Sequence, residues 1–438
     1  HFKLIIADLS TAKQYAVLPK LPVPDPKSTL QHFLHFAEPL QTRSEFEHTK
    51  SVVNEFAEKE LPTLQKLLEK RAEKLNNWLT PWWLNVAYLE SRSPLPIVTS
   101  PGLMFPMFPA TDGKDVQIEN ASKMAQAATE FYLKVMRNEL PQDMVGKTPF
   151  DMSQYKFMFG TTRIPKKGCD ECLHGGGTKS NSSNRWFDKT LQFVIGKTGG
   201  CGITYEHTPA EGPPVATMMD FICDKFFGKE FNDAAGISEG NVKRLDFELN
   251  DAQIARIERS SKKMDRAADD LDMVVYTFKR YGKNFPKSVK ISPDSFIQMA
   301  FQLAFYRIHS ALPPTYETAT LRKFDEGRTE NIRSPNTMAE MFVKKMASGR
   351  ESVADIYDAL KAAADSHKKY TMNCMSGAGM DRHLLAWNLL AAENGLPKPS
   401  ILDTPAYQHM SHFQVSTSQV PTRNYIQLCF GPSAPDCY

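Results

Sequence analysis

Tyr205-Glu206-His207-Thr208-Pro209-Ala210-Glu211-Gly212 is the stretch on which the reading of this chain turns. A short β-rich run, Gly202 to Glu206, ends at a histidine. Pro213-Pro214 then opens a helical pattern that runs through Phe227. His207 therefore sits where a strand hands over to a helix. The order is not His-Glu-x-x-His, and the prolines would break a helix here, so a zinc-protease helix is excluded. What remains is the pattern His-x-x-x-acid-Gly. An imidazole titrates near neutral pH and can take a proton from a hydroxyl or a thiol. A lone histidine beside carboxylates is ordinarily a solvated or structural residue, and the arrangement at a strand end is what lifts this one. Glu211 is open to two readings, an orienting group or the ion-pair partner of an arginine.

Working outward, Leu191 to Gly196 is a second β-rich run, joined to the first by Lys197-Thr198-Gly199-Gly200, a hairpin signal. Upstream, Leu18 to Pro26 is punctuated by prolines and leads into helical spacing from Ser28 to Leu79. Another helical pattern spans Asn120 to Asn138. Downstream, the periodicity predicts one long amphipathic helix over Asp251 to Gly282 and another over Pro293 to His309. Tyr316 to Lys323, His412 to Ser418 and Asn424 to Phe430 read as strands. The mixture is α+β, with helices heavily represented and no short-period repeat.

The bulk numbers bound the function classes. The chain has 438 residues and is 41% hydrophobic, which favours two domains over one compact module. Charged residues make up 24%, and a formal net charge of only +3 argues against a nucleic-acid partner. No apolar run approaches the length needed to span a bilayer. Seven cysteines, an odd number without framework spacing, read as reduced thiols of an intracellular protein. Cys169 and Cys172 near His174 are a single weak metal signal and are read as free thiols. Gly175-Gly176-Gly177 lacks a Walker pattern and is read as a turn.

The central octet resembles the catalytic motif of coenzyme A-dependent acyltransferases of the chloramphenicol-acetyltransferase type. Trp82-Trp83-Leu84, Tyr88-Leu89, Ser93-Pro94-Leu95 and Asn184-Arg185-Trp186-Phe187-Asp188-Lys189 follow in family order. So do Tyr316-Glu317-Thr318, Gly327-Arg328-Thr329-Glu330-Asn331-Ile332-Arg333-Ser334, Asp381-Arg382-His383-Leu384, Ser416-Thr417-Ser418-Gln419 and Phe430-Gly431-Pro432. Together these are similar to the carnitine/choline acyltransferase family over nearly the whole chain.

The resemblance implies an α/β fold of two chloramphenicol-acetyltransferase-like domains, with mixed sheets flanked by helices and an active-site tunnel at their interface. It implies an N-terminal helical segment over 1–74 packing with the C-terminal domain. A catalytic domain over 75–249 would carry His207, and a domain over 250–438 would bind coenzyme A and carnitine. It implies His207 as general base and Ser418 as donor to the oxyanion. Tyr316, Thr329 and Arg382 would hold the carnitine carboxylate, with Ser416 and Phe430 beside the reacting centre and the trimethylammonium. Arg382 and Thr329 favour carnitine over choline, which has no carboxylate. Lys283, Lys287 and Asp294 would bind coenzyme A, the lysines as point charges on its 3′-phosphate. Leu428 would close the acyl pocket and favour acetyl or propionyl groups. Neither metal nor cofactor is implied, since coenzyme A is a substrate. Relatives imply a monomer in the mitochondrion or peroxisome.

Two departures from the family stand out. A block that relatives carry between the segments like Gly160-Thr161-Thr162-Arg163-Ile164-Pro165 and Leu173-His174-Gly175-Gly176 is reduced to a bridge containing Gly168 to Cys172. Relatives also continue past Asp436-Cys437-Tyr438. The catalytic half is thus expected to be internally shortened and the C-terminal half to stop early. A catalytically impaired protein that still binds acyl-coenzyme A or carnitine is the first alternative function, and a choline or medium-chain carnitine acyltransferase the second.

Overall fold

The computed structural model describes residues 15–90, 100–108, 115–161, 186, 188–228, 231, 248–270, 274, 276–420, 422–424, 426–431 and 437–438. Ser93-Pro94-Leu95, Asn184-Arg185, Phe187, Cys169, Cys172, His174, the triple glycine and Pro432 lie outside them, as does the Gly168–Cys172 bridge.

The expected hairpin is present. β4 (Leu191–Ile195) pairs antiparallel with β5 (Cys201–Tyr205), Leu191 opposite Tyr205. β1 (Gly102–Met104) lies on the other side of β5, and β9 (Gln427–Cys429) pairs with β1, so the sheet order is β4-β5-β1-β9. Alternation along β5 points Cys201, Ile203 and Tyr205 inward. They join a core with Phe131 and Tyr155, against which Leu428 of β9 packs. The helix Gly212–Gly228 contributes Val215, Met218, Met219 and Ile222 to the same core. Its start has Pro213-Pro214, where absent N–H groups cost nothing.

A second sheet has the order β7-β6-β8. β6 (Thr315–Thr320) pairs antiparallel with β7 (Thr329–Ile332) and parallel with β8 (Val415–Thr417). Between β8 and β9 the chain therefore crosses from one sheet to the other. A short hairpin, β2 (Met144–Val145) and β3 (Thr148–Pro149), completes the strands described.

The helices Pro26–Ala37, Arg43–Lys59 and Leu61–Lys74 realise the helical spacing read over 28–79. Asp25 caps the first, and Thr42 with Glu45 forms a capping box on the second. Their apolar faces, including Phe33, Phe36, Phe56 and Leu68, pack with Trp387 and Leu390 of the helix Asp381–Glu393. Ala319 of β6 and Ile332 of β7 close that core from the sheet side. Met299, Phe342 and Ala363 build a third cluster from the helices Pro293–His309, Thr337–Ser348 and Val353–Met375.

One helix is shorter than its periodicity predicts. It spans Asp251–Asp269 instead of reaching Gly282. Asp269 and its C-cap Asp270 place negative charge at a helix C-terminus, where the macrodipole disfavours it. Val274, Val275 and Thr277 follow, whose branched side chains lower helix propensity. Phe278, Tyr281 and Phe285 beyond them are half exposed.

Candidate active site

His207 leaves β5 two residues after its last paired position. The Glu206 N–H still donates to the Thr190 carbonyl, at 2.8 Å, so the ladder runs up to the histidine and stops there. The loop is then tied down from outside. Arg328 donates from Nη2 to the His207 carbonyl at 3.1 Å and from Nη1 to the Thr208 carbonyl at 2.5 Å. Its Nε pairs with Glu211 Oε1 at 2.5 Å. Glu211 thus proves to be an arginine's ion-pair partner, while its other oxygen lies 3.6 Å from His207 Nδ1. Its backbone N–H donates to Gln154 Oε1 at 2.8 Å.

The Tyr88 hydroxyl is 3.3 Å from His207 Nδ1, and the two rings stack with centroids 5.5 Å apart. Nδ1 is therefore engaged, whereas Nε2 has no hydrogen-bond partner among the described residues. Phe430 stands 6.1 Å from the imidazole, ring to ring. Burial pushes His207 below the usual histidine range. Glu211 pulls it upward and loses to that burial, to which the charge of Arg328 adds. For Glu211 burial works upward, but Arg328 and then His207 overcome it and hold the carboxyl low. A neutral imidazole beside an ionised, arginine-paired carboxylate is the resting arrangement near pH 7.

Arg328 is the residue before Thr329, the first of β7. The next link is made by Thr329 itself: its carbonyl accepts from Arg382 Nε at 3.0 Å. Arg382 Nη2 also reaches the Tyr316 hydroxyl at 3.4 Å, and its guanidinium lies over the Trp83 ring at 3.5 Å. Trp83 in turn meets Tyr88 edge to face at 6.3 Å. Tyr316, Thr329 and Arg382 are thus brought together beside the His207 loop. The Thr329 hydroxyl is buried and has no hydrogen-bond partner among the described residues. A buried guanidinium beside an orphaned hydroxyl and a phenol is a set of donors that suits a carboxylate. Arg333 fixes the helix that carries Arg382, gripping Asp381 at 2.6 and 3.0 Å and donating to the Met410 carbonyl at 2.7 Å.

Ser416 lies opposite Tyr316 in the parallel pairing of β8 with β6. Ser418 follows β8 and is exposed. Leu428 of β9 lies opposite Leu103 of β1. Lys283 and Lys287 are both exposed, one turn apart at the short helix Asn284–Ser288, and among the described residues no hydrogen bond, ion pair or ring contact joins them to the His207 loop. Asp294, in the first turn of the following helix, accepts from Gln419 Nε2 at 2.6 Å. Among the described residues Asp294, Glu317 and His367 also form a trio with metal-ligand chemistry. His367 is fully buried and both its nitrogens are engaged, with Glu317 at 2.7 Å and Ser295 at 3.0 Å, so the trio is satisfied as a hydrogen-bond network.

Arg328, Trp83 and Tyr88 stand inside the motifs that carry the resemblance, which assigns them no role. The available signal was Glu211: a buried acid needs a cation, and Gly327-Arg328-Thr329 offers one. A cavity of about 340 Å³ opens beside the loop, lined by Leu84, Leu89, Gln154, Glu206, Thr208 and Arg328 among others.

The family profile described as "Choline/Carnitine o-acyltransferase" matches residues 21–175 and 171–438. This chain belongs to the choline/carnitine O-acyltransferase family. It is an acyltransferase, and its mixed α/β architecture is the family's chloramphenicol-acetyltransferase-like fold. It is 32% identical to the carnitine O-acetyltransferase of Columba livia, covering 96% of this chain and 86% of the relative. Identity to the carnitine O-acetyltransferase of Homo sapiens is 30%, over 100% and 89%. Identity to the choline O-acetyltransferase of Gallus gallus is 29%, over 98% and 87%. The first of these acyltransferase alignments spans 544 positions, more than the 438 residues of this chain, so the relative has stretches with no counterpart here. No described helix is long and apolar enough to cross a membrane. Four of the cysteines, Cys201, Cys223, Cys374 and Cys429, form no disulfide among the described residues.

Proposed function

We propose that this acyltransferase moves a short acyl group reversibly between coenzyme A and L-carnitine, with His207 as general base. One observation carries the reading. Neighbouring residues of a single strand entry face both ends of the chemistry: Arg328 clamps the His207 loop, and Thr329 holds Arg382 beside its own orphaned hydroxyl. A hydroxy acid bridging the two would have its carboxylate at Arg382 and its alcohol toward the imidazole.

In the forward direction His207 takes the proton of the carnitine hydroxyl as its oxygen attacks the thioester carbonyl. Nε2, which has no hydrogen-bond partner among the described residues, is the atom suited to that transfer. The tetrahedral intermediate collapses with cleavage of the carbon–sulfur bond, and the imidazolium returns the proton to the departing thiolate. In reverse the imidazole deprotonates the thiol of coenzyme A. Ser418 would donate to the oxyanion, a contribution typically worth about 10²–10³-fold. Ser416 and Phe430 would line the reacting centre, Phe430 offering an aromatic face to the trimethylammonium. Lys283 and Lys287 would attract the 3′-phosphate, with Asp294 in the same site. Leu428 would close the acyl pocket on acetyl or propionyl. The boundaries 1–74, 75–249 and 250–438, with a tunnel between the last two, are the domain division that goes with this reading.

A thiol-trapping assay with acetyl-coenzyme A tests it. Release that requires carnitine and is lost in His207→Ala supports the transferase. Carnitine binding without release marks a binding protein. Faster release with choline than with carnitine refutes the roles given to Arg382 and Thr329.

A further inference from the structure

We propose that Glu330 is a positioning residue for Arg382, and that its carboxyl takes up a proton when a carboxylate ligand docks on that arginine. This rests on the reading of Tyr316, Thr329 and Arg382 as a carboxylate receptor.

Glu330 lies on β7 directly after Thr329 and is almost completely buried, at 3% exposure. Its carboxylate accepts from the Asn331 N–H at 2.7 Å and from the Arg382 N–H, which lies 3.3 and 3.4 Å from its two oxygens. The acid therefore holds the first turn of the helix Asp381–Glu393 at the residue whose guanidinium forms the receptor. The fold makes room for it. A Cβ at Gly379 would lie 2.3 Å from Glu330 Cγ and 2.7 Å from Oε2, so any side chain there would displace the carboxylate.

The charged and titratable groups around Glu330 are few. Arg382 and Asp381 face it from the helix Asp381–Glu393. Tyr370 and Cys374 interact with it from the helix Val353–Met375, and both are held in their neutral forms, chiefly by burial. Its register partner on β6 is the uncharged Ala319. Arg333 is occupied by Asp381. Burial drives Glu330 up to about 7 against the pull of Arg382, with Asp381 adding to the rise.

An anion arriving on Arg382 adds negative charge nearby and draws the guanidinium's field away from Glu330. Both effects favour the neutral acid. The proton comes from solvent, and no other bond changes. Because the bound state holds Glu330 more firmly protonated than the free state, carboxylate affinity is greatest below the free-state value. It falls as pH rises through and above 7. His207 titrates below the usual histidine range, on the far side of Arg328, so its window lies under this one.

Calorimetric titration of the full chain with carnitine at pH 7, in phosphate and in Tris, reads the protons taken up from the difference in buffer ionisation heat. The expected result is net uptake with carnitine and none with choline, which lacks the carboxylate. His207→Ala retains the uptake and Glu330→Gln loses it while still binding carnitine. The carnitine Kd rises roughly 2–4-fold from pH 6.5 to 8 in the unaltered protein, as a shift of about half to one pKa unit on binding from a free value of about 7 requires. Carnitine binding without proton uptake, or equal uptake with choline, overturns the proposal while leaving the receptor reading intact. No carnitine binding by the unaltered protein at any pH overturns both. Because Gln at a buried acid can disturb folding, the carnitine–choline contrast in the unaltered protein decides the matter independently of the variant.

Discussion

His207 is held by Tyr88, Glu211 and Arg328, and burial outweighs the carboxylate among them. Its base form is therefore populated further into acid than that of a free imidazole. The acid limb of kcat/KM for acyl transfer should fall below pH 6.5, the ordinary histidine value. A limb at or above 6.5 would show that the imidazole is not desolvated in solution. His207→Ala should lower kcat by about 10²–10⁴-fold with little change in carnitine binding, read as thiol release against a calorimetric Kd. Thr329→Val removes the orphaned hydroxyl and keeps the shape. It should raise the carnitine KM roughly 10–100-fold, as for a hydrogen bond to a charged group, and leave the acetyl-coenzyme A KM unchanged. Arg328→Met strands Glu211 as a buried, unpaired charge. Loss of about 3–5 kcal/mol is expected on urea denaturation, and adding Glu211→Leu should restore part of it. If the double variant is as unstable as the single, the ion pair is not what anchors the loop.

At the scale of elements, the β6–β7 connection does the positioning. Arg322 near its start reaches Asp143 at 2.7 Å, and Arg328 at its end reaches the His207 loop. The turn itself is close-packed: a Cβ at Gly327 would lie 1.9 Å from the Leu321 carbonyl oxygen, too near for any side chain. Gly327→Ala should cost about 1–3 kcal/mol, as overpacking does, and should lower kcat together with the denaturation midpoint. Destabilisation without loss of kcat would separate the turn from the site. Local sequence marked this connection well. The strand expected over 316–323 is realised as Thr315–Thr320, and the helix predicted over 293–309 has those bounds. The helix predicted over 251–282 stops at Asp269, because period alone does not weigh aspartates at its end against the apolar spacing.

At the scale of the whole molecule, the two lysines stand exposed. On the proposed reading they would meet the 3′-phosphate of coenzyme A. Lys283→Ala with Lys287→Ala should raise the KM for acetyl-coenzyme A several-fold, in keeping with exposed charge contacts of about 1 kcal/mol or less. The same change should leave the KM for 3′-dephospho-acetyl-coenzyme A alone, and the difference should shrink as salt screens the charges. Equal effects on both thioesters would remove the lysines from the phosphate site.

The local order of residues was enough to place a histidine at the end of a strand, to pair β4 with β5, and to align a string of motifs with one acyltransferase family. Those features depend on neighbours a few positions apart, where backbone periodicity and turn chemistry act directly. Tertiary folding decided which charges meet. Arg328 finds Glu211 across 117 positions of chain, and Arg382 settles over Trp83 from a different core helix. Such pairings are set by where helices and sheets bury their apolar faces. Nothing in the period of a short segment records which distant partner that burial will bring alongside.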